Sequence, residues 1–247
     1  MSKPMCFTAS RMSELLAGGT GKTKWNYIFD LALKTIGADK DISTPAMKHG
    51  INNEFYALQI AKEKLNAYPN TNESGEQVYY PINEFCGATP DALGDGFVLD
   101  AKCQFYIHTY IEQRDKLPAK YHIQVQTQMM ALKVEKGYLL NYLTKPEIWG
   151  DDDWNEYPFP VEDRYCFHEI LPEIEIQDKI LSETEKNFPY IGIGVEMLRD
   201  AVLLDDDEFF YSQFVGKERY LKLKDINWIE NIRRVYRHKN DFYVIKK

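Results

Sequence analysis

Hydrophobic positions recur along this chain at two different spacings. Between residues 47 and 65, Ile51, Leu58, Ala61 and Leu65 fall close to one face of a helix. Between residues 97 and 103 the spacing drops to two, as in a strand. Leu99, Ala101 and Cys103 form an apolar set there, while Asp100 and Lys102 project together to the other side. Ser10 reads as the N-cap of a short helix over residues 11–17, stopped by Gly18 and Gly19. A second helix is expected over 24–33. Residues 78–82 and 84–89 read as extended, and 105–114 and 119–134 as helices separated by Leu117-Pro118. Residues 137–143 and 164–170 read as strands, and 173–187 as an amphipathic helix. Near the C-terminus, 242–245 is placed to pair back on 235–238. The order around the alternating segment is helix, three strands, helix, strand. That order predicts an α/β fold with a mixed central sheet and helices on its faces.

The 247 residues are 44% hydrophobic, enough to bury one substantial core, so one domain or one domain with an appendage is expected. No run approaches the roughly 20 apolar residues of a membrane span, and the N-terminus lacks a basic-then-apolar leader pattern. A soluble, cytoplasmic protein without membrane contact is expected. Cys6, Cys86, Cys103 and Cys166 are scattered, with no Cys-x-x-Cys pair, so neither a disulfide framework nor a zinc ribbon is indicated. Cys166 and His168 are neighbours, but two ligands do not make a metal site.

The net charge of −8 would argue against a surface for nucleic acid if it were spread evenly, but it is not. Residues 146–216 hold 19 acidic and 4 basic side chains, whereas the first 145 are nearly balanced and 217–247 carry a net +6. The acidic surplus therefore lies outside the segment of greatest chemical interest. Its runs read as solvated loop, and the basic tail either meets phosphates or balances the acidic region.

That segment is 87–103. Gly94-Asp95-Gly96 is turn chemistry, so the preceding strand folds back and brings Asp91 toward Asp100. Two carboxylates and the Lys102 ammonium then converge at one end of a hairpin. Glu54 falls on the inward stripe of the preceding helix, where a carboxylate is costly unless paired, protonated or bound to a cation. The alternative puts Glu54 at the rim, with Phe55 buried in its place. Tyr121, Gln124 and Gln128 share one face of the later helix, with Ile123, Met130 and Val134 on the side expected to be core. Such a stripe is either an exposed face or a set of donors for a water or phosphate oxygen. The acids suit Mg²⁺, which takes hard oxygen ligands, lowers the pKa of a bound water and shields a phosphodiester's charge. Lys102 would hold the attacking water or the developing charge.

Pro90-Asp91 followed by Asp100-Ala101-Lys102 resembles the PD-(D/E)xK nuclease superfamily, the restriction-endonuclease-like fold. Within it the chain looks most like the phage-recombination exonucleases typified by lambda exonuclease. Four blocks carry the likeness: Thr8-Ala9-Ser10, Gly50-x-x-x-Glu54, residues 87–103, and Tyr121-x-x-Gln124-Val125-Gln126. Together they cover about 8–143, and 173–187 suits the family's closing helix. The resemblance implies a Mg²⁺-dependent exonuclease, with Mn²⁺ able to substitute, that degrades one strand of duplex DNA from its 5′ end. It leaves a 3′ single-stranded tail for recombination by strand annealing. It implies that Asp91, Asp100 and the Ala101 carbonyl bind one ion and that Glu54 serves a second ion or the nearby water. Lys102 would activate or hold the nucleophile, and Gln124 would support the site beside Tyr121. Ser10 and Thr89 match hydroxyl positions of a 5′-phosphate pocket. The arginine expected a few residues after Lys102 is absent, however, and His108 is the only candidate in its stretch, with Lys3 standing in for a second one. Expected partners are double-stranded DNA ends, a single-strand annealing protein and further copies of the chain, as a trimer, in the cytoplasm of a bacterial host cell. Residues 1–200 would form the exonuclease domain and 201–247 a C-terminal extension.

Four rival readings remain beside it. Gly21-Lys22-Thr23 suggests a P-loop, but the first glycine of that motif would fall at Leu16 and the preceding segment reads as a helix. Lys22 and Lys24 would instead lie in a loop able to touch a DNA backbone. An iron–sulfur nuclease needs clustered cysteines after the core, where only Cys166 stands. A PD-(D/E)xK endonuclease would share every motif, and a non-catalytic DNA-end-binding scaffold would not need the full set of acids and lysine.

Overall fold

The computed structural model describes residues 6–18, 22–35, 44–144 and 161–204. The expected hairpin over 235–245, the acidic runs at 151–153 and 205–208, Lys3, and most of the Gly18–Gly21 loop lie outside them. In chain order the elements are β1 (Phe7–Thr8), a 3-10 turn (Ala9–Arg11), α1 (Met12–Leu15), α2 (Lys22–Thr35), α3 (Pro45–Leu65), β2 (Tyr68–Pro69), β3 (Tyr80–Pro81) and β4 (Cys86–Ala88). They continue with β5 (Ala92–Gly94), β6 (Phe97–Gln104), α4 (Ile107–Asp115), α5 (Ala119–Leu132), β7 (Lys136–Leu143), a 3-10 turn (Val161–Asp163), β8 (Tyr165–Ile170) and α6 (Ile174–Leu204). The described residues fall into two compact units, one of residues 8–12, 44–144 and 161–178, the other of residues 6–7, 13–18, 22–35 and 179–204. No helix among the described residues is long and apolar enough to cross a membrane.

The larger unit is built on a five-stranded mixed sheet in the order β2-β5-β6-β7-β8. β5 returns antiparallel onto β6 through a turn in which Gly96 takes φ +77°, a backbone state that a side chain disfavours. β6 and β7 are parallel, and α4 and α5 make the crossover that a parallel pair requires. β8 closes the sheet antiparallel to β7. Alternation on β6 sorts the two faces as expected. Leu99 and Ala101 pack with Ala57, Leu58 and Ala61 of α3, and Val98 packs with Val125 and Met129 of α5. Gly137 opens β7 where a Cβ would strike Val125 and Met129, so its missing side chain lets α5 lie close on the sheet. This is the restriction-endonuclease-like core: a mixed sheet flanked by helices.

Thr44 caps α3, accepting a hydrogen bond from the Met47 amide at 3.2 Å, and Pro45 occupies a first-turn position that needs no N–H. The inward stripe holds only from Ala57 onward. Ile51 is 70% exposed because its side of α3 borders an open cleft, and Phe55 is 63% exposed. Ser10 does not cap a helix. It lies inside the Ala9–Arg11 turn, and Thr8 occupies the preceding cap position.

In the smaller unit, Tyr27, Ile28, Phe29, Ala32 and Leu33 of α2 are buried, as are Ile180, Ile191 and Val195 of α6. Lys24 pairs with Glu183 at 2.5 Å, and Trp25 meets Tyr190 edge-to-face at 5.1 Å. α6 runs well past the predicted end at 187, through Pro189. An interior proline costs about 3 kcal/mol, which burial of Ile191 and Val195 beyond it offsets.

Candidate active site

The hairpin register sets the site. Asp91 lies just before β5, where its amide donates to the Leu99 carbonyl at 3.1 Å. Its Oδ2 accepts from the Ala101 amide at 2.7 Å, which holds the carboxylate against the strand that carries Asp100. Asn70 fixes the same segment from behind. Its side-chain amide donates to the carbonyls of Val78 (2.8 Å) and Pro90 (2.9 Å), and its backbone amide donates to the Asp91 carbonyl (3.0 Å). Nothing in its local sequence signals that role, because its partners are set by the fold.

Asp100 is 1% exposed and its two oxygens are treated differently. Oδ1 accepts from Gln124 Nε2 at 2.6 Å and from Gln128 Nε2 at 2.8 Å. Oδ2 lies 2.5 Å from Lys102 Nζ, an ion pair by distance, yet it makes no directed hydrogen bond. The stripe on α5 is therefore a buried polar seam, not an exposed face. Its apolar neighbours in the core are Val125 and Met129, whereas Ile123 and Met130 are only half-buried. Gln126, on the opposite side of α5, accepts from the Glu173 amide (3.0 Å) and donates to the Leu171 carbonyl (2.7 Å), tying the helix to the segment after β8.

Glu54 is half-buried on α3 and lines the same cleft as Lys102. Burial raises its carboxyl above the ordinary range, Lys102 pulls it back and Asp100 pushes it further up. The expected burial of Phe55 in its place does not occur, since Phe55 is 63% exposed, and Glu54 itself stays half-buried at the cleft. Asp91 is raised well above the usual carboxylate range, first by burial and then by Asp100, against Lys102 and the Ala101 amide. Burial alone would lower Lys102, but Asp100 and Asp91 outweigh it and the ammonium is held charged more firmly than usual. Burial, with Glu54 and Asp91 nearby, pushes the Cys103 thiol up to about 12, so it is no thiolate nucleophile.

The cleft has a volume of about 640 Å³ and is lined in part by Met47, Glu54, Lys102, Phe105, Lys120 and Tyr121. Lys102 and Lys120 both lie over the Tyr121 ring, at 5.2 and 4.5 Å. Glu54, Asp91, Asp100, Lys102, Gln124 and Tyr121 are thus brought together. Sequence reasoning missed Lys120 and the Ala101 amide. Ser10 is exposed in its turn, Thr89 is half-buried next to Pro90, and exposed His108 stacks on Tyr106 at 5.4 Å. None of these three lines the cleft.

Among the described residues no group of three or more His, Cys, Asp or Glu side chains forms a metal cage. Asp91 and Asp100 supply hard carboxylate oxygens, a donor set that fits an ion such as Mg²⁺, which is commonly held by one or two carboxylates and keeps several waters. The buried Oδ2 of Asp100, which makes no directed hydrogen bond and faces only the Lys102 ammonium, is the kind of hard oxygen such an ion takes.

Residues 3–133 match the YqaJ-like viral recombinase domain. The chain belongs to this family. The match spans Glu54, Asp91, Asp100, Lys102, Gln124 and Gln128. Among solved structures, the alkaline exonuclease LHK-Exo from Laribacter hongkongensis is 22% identical, with a TM-score of 0.63 over 82% of this chain and 96% of that one. The same exonuclease in complex with dAMP superposes equally well, over 81% and 95%. A phage related exonuclease from Haemophilus somnus 129PT is 18% identical, with a TM-score of 0.62 over 75% and 93%. These likenesses establish that the YqaJ-like chain shares their fold. No curated protein matches it.

Proposed function

We propose that the chain is a Mg²⁺-dependent 5′-to-3′ exonuclease that degrades one strand of duplex DNA and leaves a 3′ single-stranded tail for strand annealing. The observation that carries this reading is the pairing of Asp91 and Asp100 across one hairpin, with Lys102 on Asp100 Oδ2 at the edge of the cleft. The exonuclease names of the structural relatives, and dAMP beside one of them, support it.

Asp91, Asp100 and the Ala101 carbonyl would hold the ion, with Glu54 serving a second ion or a nearby water, and Mn²⁺ able to replace Mg²⁺. When bound, the metal lowers the pKa of a water and shields the phosphodiester charge. Lys102, held as an ammonium, orients the water and stabilises the charge of the five-coordinate phosphorus rather than taking a proton. Gln124 fixes Asp100, and Tyr121 seats the Lys102 head group through its ring. Lys120, at the cleft wall, meets a backbone phosphate. Ser10, Thr89 and His108 remain the proposed contacts for a 5′-phosphate. Partners in this reading are duplex ends, an annealing protein and other copies of the chain in a trimer. Residues 1–200 act as the nuclease domain in the bacterial cytoplasm, with 201–247 as an extension.

The test is digestion of linear duplexes labelled at the 5′ or the 3′ end, with Mg²⁺ or EDTA. Early release of the 5′ label with Mg²⁺ alone is expected. Cleavage of closed circles would point to an endonuclease, release of the 3′ label first would reverse the polarity, and end binding without degradation would leave a scaffold.

A further inference from the structure

The mechanism needs only one glutamine to steady Asp100, yet α5 supplies two. Gln124 and Gln128 sit one turn apart and donate to the same atom, Oδ1, at 2.6 and 2.8 Å. A carboxylate oxygen offers two in-plane lone pairs, so two amide donors occupy Oδ1 fully. Gln128 is completely buried, and its own Oε1 has no hydrogen-bond partner. Turning the amide over would set that oxygen against Oδ1, acceptor to acceptor, so the donor orientation is the one the site allows. A buried acceptor left unpaired is unfavourable for folding. The residue is therefore placed for what its NH₂ group does to Asp100, and not for its own satisfaction.

We infer that Gln128 is a positioning residue that closes Asp100 Oδ1 to metal, so that an ion can take only Oδ2, the oxygen that also faces the Lys102 ammonium at 2.5 Å, and thereby favours a small octahedral cation over calcium. Mg²⁺ and Mn²⁺ accept one oxygen per carboxylate and complete an octahedron with water, whereas Ca²⁺ takes six to eight oxygens and often both oxygens of a carboxylate. With Gln124 alone, one lone pair on Oδ1 would stay open and Asp100 could bind through both oxygens. The inference rests on the metal-dependent reading above and adds a determinant of which metal that site prefers.

The test is metal binding by the full chain without DNA, with Mn²⁺ followed by electron paramagnetic resonance and Ca²⁺ by calorimetry. The wild-type protein is expected to prefer Mn²⁺, and Gln128→Met to narrow that preference about tenfold, the size typical of changes to groups that orient metal ligands. A packing role alone would not move the ratio of the two affinities. A folded Gln128→Met protein with the wild-type ratio overturns the inference. If Gln128→Met does not fold, Gln124→Met must give the same narrowing, since it opens the other lone pair of the same oxygen, and an unchanged ratio there overturns the inference too. A wild-type protein that binds neither ion overturns both this inference and the metal-dependent function. An unchanged ratio in a protein that does bind Mn²⁺ overturns only the role of Gln128.

Discussion

The Ala101 amide donates to Asp91 Oδ2 over 2.7 Å, so the carboxylate of one hairpin arm is tied to the backbone of the other. That bond survives in Asp91→Asn, whose side-chain oxygen still accepts, while the charge beside Asp100 disappears. In EDTA the variant should be more stable than wild type, by on the order of 1 kcal/mol, because function-bearing sites carry such strain. Mg²⁺ should raise the wild-type melting temperature through binding and leave that of the variant unchanged. Thermal unfolding with and without Mg²⁺ checks both halves. A variant still stabilised by Mg²⁺ would mean that Asp91 is not a ligand.

Asp100 needs a gentler substitution than alanine. Asp100→Ala would leave Lys102, Gln124 and Gln128 without their shared partner in a buried site. Removing one member of a buried pair costs about 3–5 kcal/mol, so this variant should be badly destabilised in urea titrations. Asp100→Asn keeps an acceptor and should stay folded but lose hydrolysis. If Asp100→Ala unfolds at the wild-type urea midpoint, the pairing described above does not hold in solution.

The alternation on β6 was legible because one face of the strand meets α3 and the other α5, so Asp100 and Lys102 stood out against Leu99 and Ala101. The hairpin followed from Gly94-Asp95-Gly96. The buried side of α5 was harder to read. Gln124 and Gln128 look like surface by hydropathy, and the carboxylate that satisfies them lies 24 and 28 residues away in sequence. The opposite error occurred at Ile51, an apolar residue on a helical stripe that extends past the sheet to border the cleft. Two-residue strands such as Tyr68–Pro69 carry too little pattern to be seen before their partner β5 is known.

Gly137 sets how closely α5 approaches the sheet. A methyl group there would press on Val125 and Met129, the residues on the α5 turns that also carry Gln124 and Gln128. Gly137→Ala should cost about 1–3 kcal/mol as an overpacked contact. It should also reduce turnover more than DNA affinity, because the displaced helix holds Asp100 rather than the nucleic acid. Kinetics alongside chemical unfolding test this, and a stable variant with normal turnover would contradict the close approach.

The Lys24–Glu183 pair gives a pH signature in the smaller unit. The Lys24 hydrogen bond holds the Glu183 carboxyl below its ordinary value, against the opposing effect of burial. A lowered folded-state pKa stabilises the protein above the unfolded value, near 4.5, and that contribution is lost as the pH falls through the folded value. Glu183→Gln should therefore cost up to about 1 kcal/mol at neutral pH and progressively less in acid. Melting curves of the two proteins that stay parallel down to the lowest accessible pH would refute the pairing.

Lys120 is exposed at the wall of the cleft, and among the described residues no carboxylate lies within ion-pair distance of it. The Tyr121 ring beneath its ammonium steers the head group without neutralising it, so the charge stays available to a phosphate. A contact of that kind releases about one condensed counterion, which fixes what its loss should look like. Lys120→Ala should weaken duplex-end binding in EDTA and reduce the slope of log affinity against log salt by about 0.9. The loss should be similar for different end sequences, because a phosphate carries no base information. Fluorescence anisotropy across a salt series measures the slope directly. A variant with weaker binding but an unchanged slope would show that Lys120 acts through Tyr121 and the site behind it, and not on the DNA backbone.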